Sequence, residues 1–253
     1  GVVFTQFHTA PLCSPTRAML LSGNNNHVAG VANQHRDGLA GVSVDGYNAG
    51  LSDRVIPFPK LLEQSGYNTY IAGKWHLGSK INQRPPKMGF KRSLVMAQGG
   101  ASHFDSRSYF PGEATYIFNG EIIERPNNDY SSKLFTNTII NFIEQDLDTK
   151  QPFFAYAAYT APHWPLQVPN EYLNLYKGIY DDGYDVLRSE RIESLKKSKI
   201  IPENSSLPPR NEEIKPWQEL TPKEQSHESR KMELYASMVD NMDDNIGRLI
   251  KFL

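Results

Sequence analysis

The order in which apolar periodicities change along the chain limits the fold more than any other feature. Segments with helical spacing alternate with short runs that read as strands. Phe153 to Tyr159 is a continuous apolar and aromatic run, which predicts a central strand buried on both faces. Tyr67 to Ala72 predicts another strand, and Asn119-Gly120 predicts a two-residue hairpin turn within residues 116–123. A helix is expected from Ser14 to Leu21, ended by Gly23, and a second from Pro57 to Ser65. Tyr130 to Leu147 carries the stripe Leu134, Ile139, Phe142 and Ile143. Arg230 to Leu253 carries Leu234, Met238, Met242, Ile246 and Leu249 on one side. This alternation predicts an α/β fold with a mainly parallel sheet sandwiched by helices, with the chemistry at the carboxyl ends of the strands.

Between these segments, residues 24–53 and 79–128 read as loop. Residues 176–225, rich in Lys, Glu, Ser and Pro, read as a polar surface excursion with short helices inside one domain spanning 1–253. Apolar residues make up 39% of the chain, enough for a core without disulfides, which the lone Cys13 could not form within the chain. No apolar run approaches the ~20 residues of a membrane-spanning helix. The formal net charge of −1 implies no general polyanion-binding surface, hence no nucleic-acid partner. Anion specificity must therefore come from a few cations gathered at one place. The opening Gly1-Val2-Val3-Phe4 and the closing Ile250-Lys251-Phe252-Leu253 predict an interior piece of a longer protein.

Polar motifs fall where such a fold puts chemistry. Cys13 stands at the start of the first helix, where backbone N–H groups and the helix dipole favour anions. Read alone, it is equally a small buried cysteine. Lys74 and His76 follow the Tyr67–Ala72 strand. In an extended segment they point to the same side, offering a fixed positive charge and a group that moves a proton near neutral pH. His163 follows the 153–159 strand, in Ala161-Pro162-His163-Trp164-Pro165. His103 lies in the Gly-rich stretch Gly99-Gly100-Ala101-Ser102-His103 and is expected to border the substrate pocket. His8, His27, His35 and His227 have weaker claims, and Trp75 and Trp164 are expected to be packing residues.

The stretch Cys13-Ser14-Pro15-Thr16-Arg17-Ala18-Met19-Leu20-Leu21-Ser22-Gly23 resembles the active-site signature of the type I, formylglycine-dependent sulfatases. Gly73-Lys74-Trp75-His76-Leu77-Gly78 resembles their second signature, and Pro162-His163-Trp164-Pro165 their Pro-His-x-Pro element. The motifs occur in family order, with closest likeness to bacterial arylsulfatases. The resemblance implies an alkaline-phosphatase-like fold, truncated here at both ends, and sulfuric ester hydrolysis. It implies that a sulfatase-maturating enzyme oxidises Cys13 to Cα-formylglycine, whose hydrated gem-diol attacks sulfur and later expels sulfate as the aldehyde reforms.

Under that resemblance Arg17 holds the diol, Lys74 neutralises sulfate charge, His76 takes the diol proton, and His163 contacts sulfate or protonates the leaving oxygen. The two histidine roles are interchangeable on spacing alone. One divalent cation, usually calcium, is also implied. Cys13, as formylglycine, is the one family metal contact expected in this chain, the others lying outside it. Asp240, Asp243 and Asp244, which share a helix face, read as a solvated acidic surface. Two further readings stand beside the hydrolase. One is a phosphate or phosphonate ester hydrolase of the same superfamily. The other is a catalytically silent sulfate-sugar binder that keeps an unmodified Cys13.

Overall fold

The computed structural model describes residues 3–34, 44–48, 50–109 and 111–253, which form two compact units. The larger, residues 9–167 and 242–253, contains a five-stranded sheet. Its strands are β1 (Asn68–Lys74), β2 (Arg92–Met96), β3 (Tyr116–Phe118), β4 (Glu121–Ile123) and β5 (Phe153–Ala158), in the spatial order β4-β3-β2-β1-β5. β1 pairs in parallel with both β2 and β5, and β3 is antiparallel to β2 and β4. The β3–β4 turn is Asn119-Gly120, with φ of 48° and 94°, the left-handed pair that the sequence predicts. β2 is a strand that sequence periodicity did not reveal. It lies within residues expected to be loop, and its five residues are too few to establish a period.

Side-chain alternation sorts the sheet into two faces. Ile71, Val95, Ile117 and Ala158 join Ala18 and Leu21 of helix α1 (Cys13–Ser22), with Phe58 of helix α2 (Phe58–Gln64) packed alongside. Tyr70, Ala72, Leu94, Met96 and Tyr116 face the other way. They meet the expected stripe Leu134, Ile139, Phe142 and Ile143 of helix α3 (Ser131–Asp146). Both faces are thus covered by helices, as in a parallel-sheet sandwich.

β5 departs from expectation. Among the described residues it is the last strand in the order, with one hydrogen-bonding edge paired to β1, and much of it is half-buried. Its apolar run reflects packing on both faces, with Phe154 and Tyr156 on one side and Ala155 and Ala157 on the other. Packing on two faces says nothing about pairing on two edges, so the sequence could not distinguish a central strand from a terminal one.

The smaller unit comprises residues 1–8 and 168–241. Where short helices were expected, it contains the 15-residue helix α4 (Gly183–Lys197), with Gly183 its one buried residue. A local anchor holds it. Trp217 is buried over Gly183, and Asp185 accepts the Trp217 backbone N–H at 2.9 Å and Arg210 at 3.0 Å. Helix α5 (Pro222–Phe252) begins eight residues before the expected Arg230 and contributes to both units. Its end, with Leu249 and Phe252, packs on the α3 side of the sheet. Among the described residues no helix is long and apolar enough to cross a membrane.

Candidate active site

Helix α1 begins at Cys13, and its first backbone hydrogen bond runs from Thr16 N–H to Leu12 O at 3.2 Å. Pro15 fits this first turn because a missing N–H there costs no intrahelical bond. Gly23 closes the helix in the left-handed region, with φ of 66°. The Cys13 sulfur lies 3.3 Å from His76 Nδ1 and accepts a hydrogen bond from Gln34 Nε2 at 2.8 Å. One helical turn on, the Arg17 Nη1 group donates to the Lys74 carbonyl at 2.8 Å and to the Tyr156 hydroxyl at 3.3 Å.

Two cations therefore face the start of α1. Lys74, the last residue of β1, is 3% exposed, and Arg17 is partly buried. Neither forms an ion pair among the described residues. Burial lowers the pKa of Lys74, the Arg17 charge lowers it further, and Cys13 opposes both. Burial likewise lowers the pKa of Arg17, against Tyr156 and Cys13. Uncompensated positive charge in a desolvated place favours an anion.

His76 reaches Cys13 by a different backbone path from the extended one expected. Its φ is 55°, in the left-handed region, and its N–H bonds the Ala97 carbonyl at 3.1 Å. Its ring lies against Gly99, where an added Cβ would stand 2.6 Å from His76 Cε1. A Cβ on the next residue, Gly100, would stand 3.0 Å from His163 Cε1. The two imidazoles thus flank a Gly-Gly step that has room for neither side chain. His163 directs Nδ1 to the Trp164 carbonyl at 2.7 Å, so Nδ1 carries the proton and Nε2 is the acceptor of the neutral ring. Burial lowers the His163 pKa, the Trp164 hydrogen bond raises it, and the nearby Lys74 charge lowers it.

Cys13, Arg17, Lys74, His76 and His163 are therefore brought together. His103 is not available to a substrate. It is 1% exposed, and both ring nitrogens are engaged, Nδ1 with Ser131 Oγ at 2.7 Å and Nε2 with the His163 carbonyl at 2.8 Å. A Gly-rich approach suggested a pocket rim, yet Gly100, Ala101, Ser102 and His103 are all buried. Trp75 is a packing residue, fully buried with its Nε1 on the Gln83 carbonyl at 3.0 Å. Trp164 is not; it is 57% exposed beside Tyr109, with ring centroids 3.9 Å apart. His27 packs edge-on to Tyr47, His8 and His227 belong to the smaller unit, and His35 lies outside the described residues. Gln34 and Tyr156 were not anticipated. Nothing in the Asn-rich loop marks Gln34, whereas strand alternation places Tyr156 on the face of Ala158 that packs against α1.

A family model described as Sulfatase matches residues 1–253. The chain belongs to the sulfatase family. It is 42% identical over 270 residues to an uncharacterised sulfatase of Schizosaccharomyces pombe, covering all of this chain and 48% of that one. It is 37% identical over 258 residues to an arylsulfatase of Klebsiella aerogenes, covering all of this chain and 55% of that one. The chain thus spans about half the length of these relatives. The crystal structure of Ps i-CgsB superposes with a TM-score of 0.64 at 22% identity, over 96% of this chain and 44% of that one. That likeness concerns the fold, a central sheet flanked by helices.

Members of this family generally use formylglycine and a divalent cation. The residues around Cys13 suit the first. A hydrogen-bond donor on Gln34 and an imidazole on His76 converge on the atom that oxygen would replace. They do not supply the second. Among the described residues no group of three or more His, Cys, Asp or Glu side chains could hold a metal ion, and this includes Asp240, Asp243 and Asp244 on α5.

Proposed function

We propose that this chain forms part of the catalytic domain of a sulfuric ester hydrolase of arylsulfatase type, with 176–225 as a surface excursion of that domain. The observation that carries this is the convergence of Arg17 and Lys74, two cations with no ion-pair partner among the described residues, on the helix start that bears Cys13. In the matured protein residue 13 is formylglycine, formed by a sulfatase-maturating enzyme, and its hydrate supplies the nucleophile. Arg17, whose guanidinium ties α1 to the Lys74 carbonyl at the end of β1, holds the diol by charge-assisted hydrogen bonds. Lys74 offsets charge that spreads over the sulfate oxygens in the transition state. His76, within 3.3 Å of the residue-13 side chain, is placed to accept its proton. His163 meets the sulfate or the leaving oxygen from the far side of the Gly99-Gly100 step. Burial and the Lys74 charge both disfavour a proton on His163, and the single negative charge of a bound sulfate ester offsets the second of these. No step is assigned to a metal.

Mass spectrometry of the peptide spanning Cys13, taken from the whole protein in its native host, tests the first requirement. The thiol should be replaced by an aldehyde, and an unmodified thiol would favour a silent binder. Turnover of nitrophenyl sulfate against nitrophenyl phosphate tests the second, and a strong phosphate preference would assign the site to the other ester.

A further inference from the structure

The geometry points to a role for His103 that is neither catalytic nor substrate-binding: held in its Nε2–H tautomer by Ser131, it is the positioning residue that sets His163. A carbonyl oxygen only accepts, so the 2.8 Å contact with the His163 carbonyl places the proton on His103 Nε2. Burial lowers the His103 pKa to about 4, so the ring is neutral near pH 7 and Nδ1 is an acceptor. The Ser131 hydroxyl, 2.7 Å away, must then be the donor. Its own oxygen accepts from Thr160 Oγ1 at 3.1 Å. The bonds run one way, from Thr160 to Ser131 to His103 to the His163 carbonyl. Thr160 and His163 are the two ends of one turn, closed by the His163 N–H on the Thr160 carbonyl at 2.9 Å. Both ends of the turn that presents His163 are thus tied to one buried imidazole.

That imidazole has little freedom of its own. Its ring stacks on Tyr130, with centroids 5.2 Å apart and planes 18° from parallel. Its backbone N–H is held by Gln167 Oε1 at 2.8 Å, and its carbonyl by the Ser131 N–H at 2.8 Å. Ser131 is the first residue of α3, so the whole arrangement is referred to a helix packed against the sheet. The same loop carries Gly99 against His76 and Gly100 against His163. Fixing His103 therefore also fixes the surface against which His163 packs.

The kinetic test rests on the sulfatase reading and uses the whole matured protein. His103→Asn preserves an acceptor for Ser131 but is too short to reach the His163 carbonyl, whereas the amide N–H of His103→Gln reaches it. Asn should lower kcat/KM for nitrophenyl sulfate by roughly 10- to 100-fold, the scale of a misplaced catalytic group, and Gln should recover most of it. In a His163→Ala background, adding His103→Asn should cost nothing more, because the partner it acts through is gone. Losses that multiply in that background, or equal losses for Gln and Asn, would overturn the inference. If His103→Asn does not fold, Ser131→Ala keeps the imidazole and removes the hydroxyl that orients it, and its smaller loss should also vanish without His163. Nitrogen NMR of the wild-type imidazole is independent of activity. It should show the Nε2–H tautomer, and an Nδ1–H tautomer would refute the proposal even in a protein that cleaves no sulfate ester. Absence of turnover in the wild type would defeat the hydrolase reading alone.

Discussion

Lys74 shows how a single residue can serve chemistry at the expense of folding. Its ammonium is buried beside Arg17 with no carboxylate partner among the described residues. Lys74→Met keeps the length of the side chain and removes the charge. It should stabilise the folded state by about 1–2 kcal/mol, the usual gain when a strained site is relaxed, while lowering kcat by about 100-fold or more. Urea unfolding and sulfate-ester turnover read the two effects, and a destabilised but active variant would contradict this account.

His103 makes the corresponding argument with protons. Its folded pKa of about 4 lies below the ordinary 6.5. Between these values the unfolded chain binds a proton that the folded chain does not. Stability should therefore fall as pH drops from about 6.5 to about 4, by a total of about 3 kcal/mol, and lose nothing further from this group below that. Denaturant midpoints measured across that range should show the decline, and His103→Gln should flatten it.

At the level of elements, the parallel pairing of β1 with β5 brings the Cys13–His76 side of the site and His163 to the same end of the sheet. That pairing depends on Gly73. Its φ is 130°, and an added Cβ would stand 2.0 Å from the Ala158 carbonyl. Gly73→Ala should cost about 3 kcal/mol or more through backbone strain and loss of pairing. A thermal scan that left the midpoint unchanged would show that the strands can separate without penalty.

The sequence revealed elements unevenly, for physical reasons. α3 was legible because four apolar residues recur at helical spacing over a long segment. The hairpin was legible because Asn-Gly demands left-handed backbone. β2 is short and aperiodic, and the place of β5 at the end of the described strand order depends on partners that no local pattern encodes. Within the site, Cys13, Arg17, Lys74, His76 and His163 were legible from their motifs. Gln34 was not, because loop geometry rather than spacing delivers its amide to the sulfur. His103 was placed near the site but given the wrong role, because sequence does not report depth.

For the molecule as a whole, a net charge of −1 coexists with a cationic centre, so local placement rather than overall charge provides anion attraction. The described residues gather carboxylates nowhere in the arrangement that a hard divalent cation needs. Calorimetry on residues 1–253 alone should therefore show at most weak calcium binding; tight binding would reveal ligands outside the pattern described.

Under the proposed hydrolase function, the two cations at the start of α1, which have no ion-pair partner among the described residues, also set a limit on throughput. A centre that recognises its target chiefly by negative charge holds the released inorganic ion by the same attraction as the ester. Discrimination between them must fall to whatever contacts the organic portion. The tighter the grip on the substrate's head, the slower the departure of its remnant.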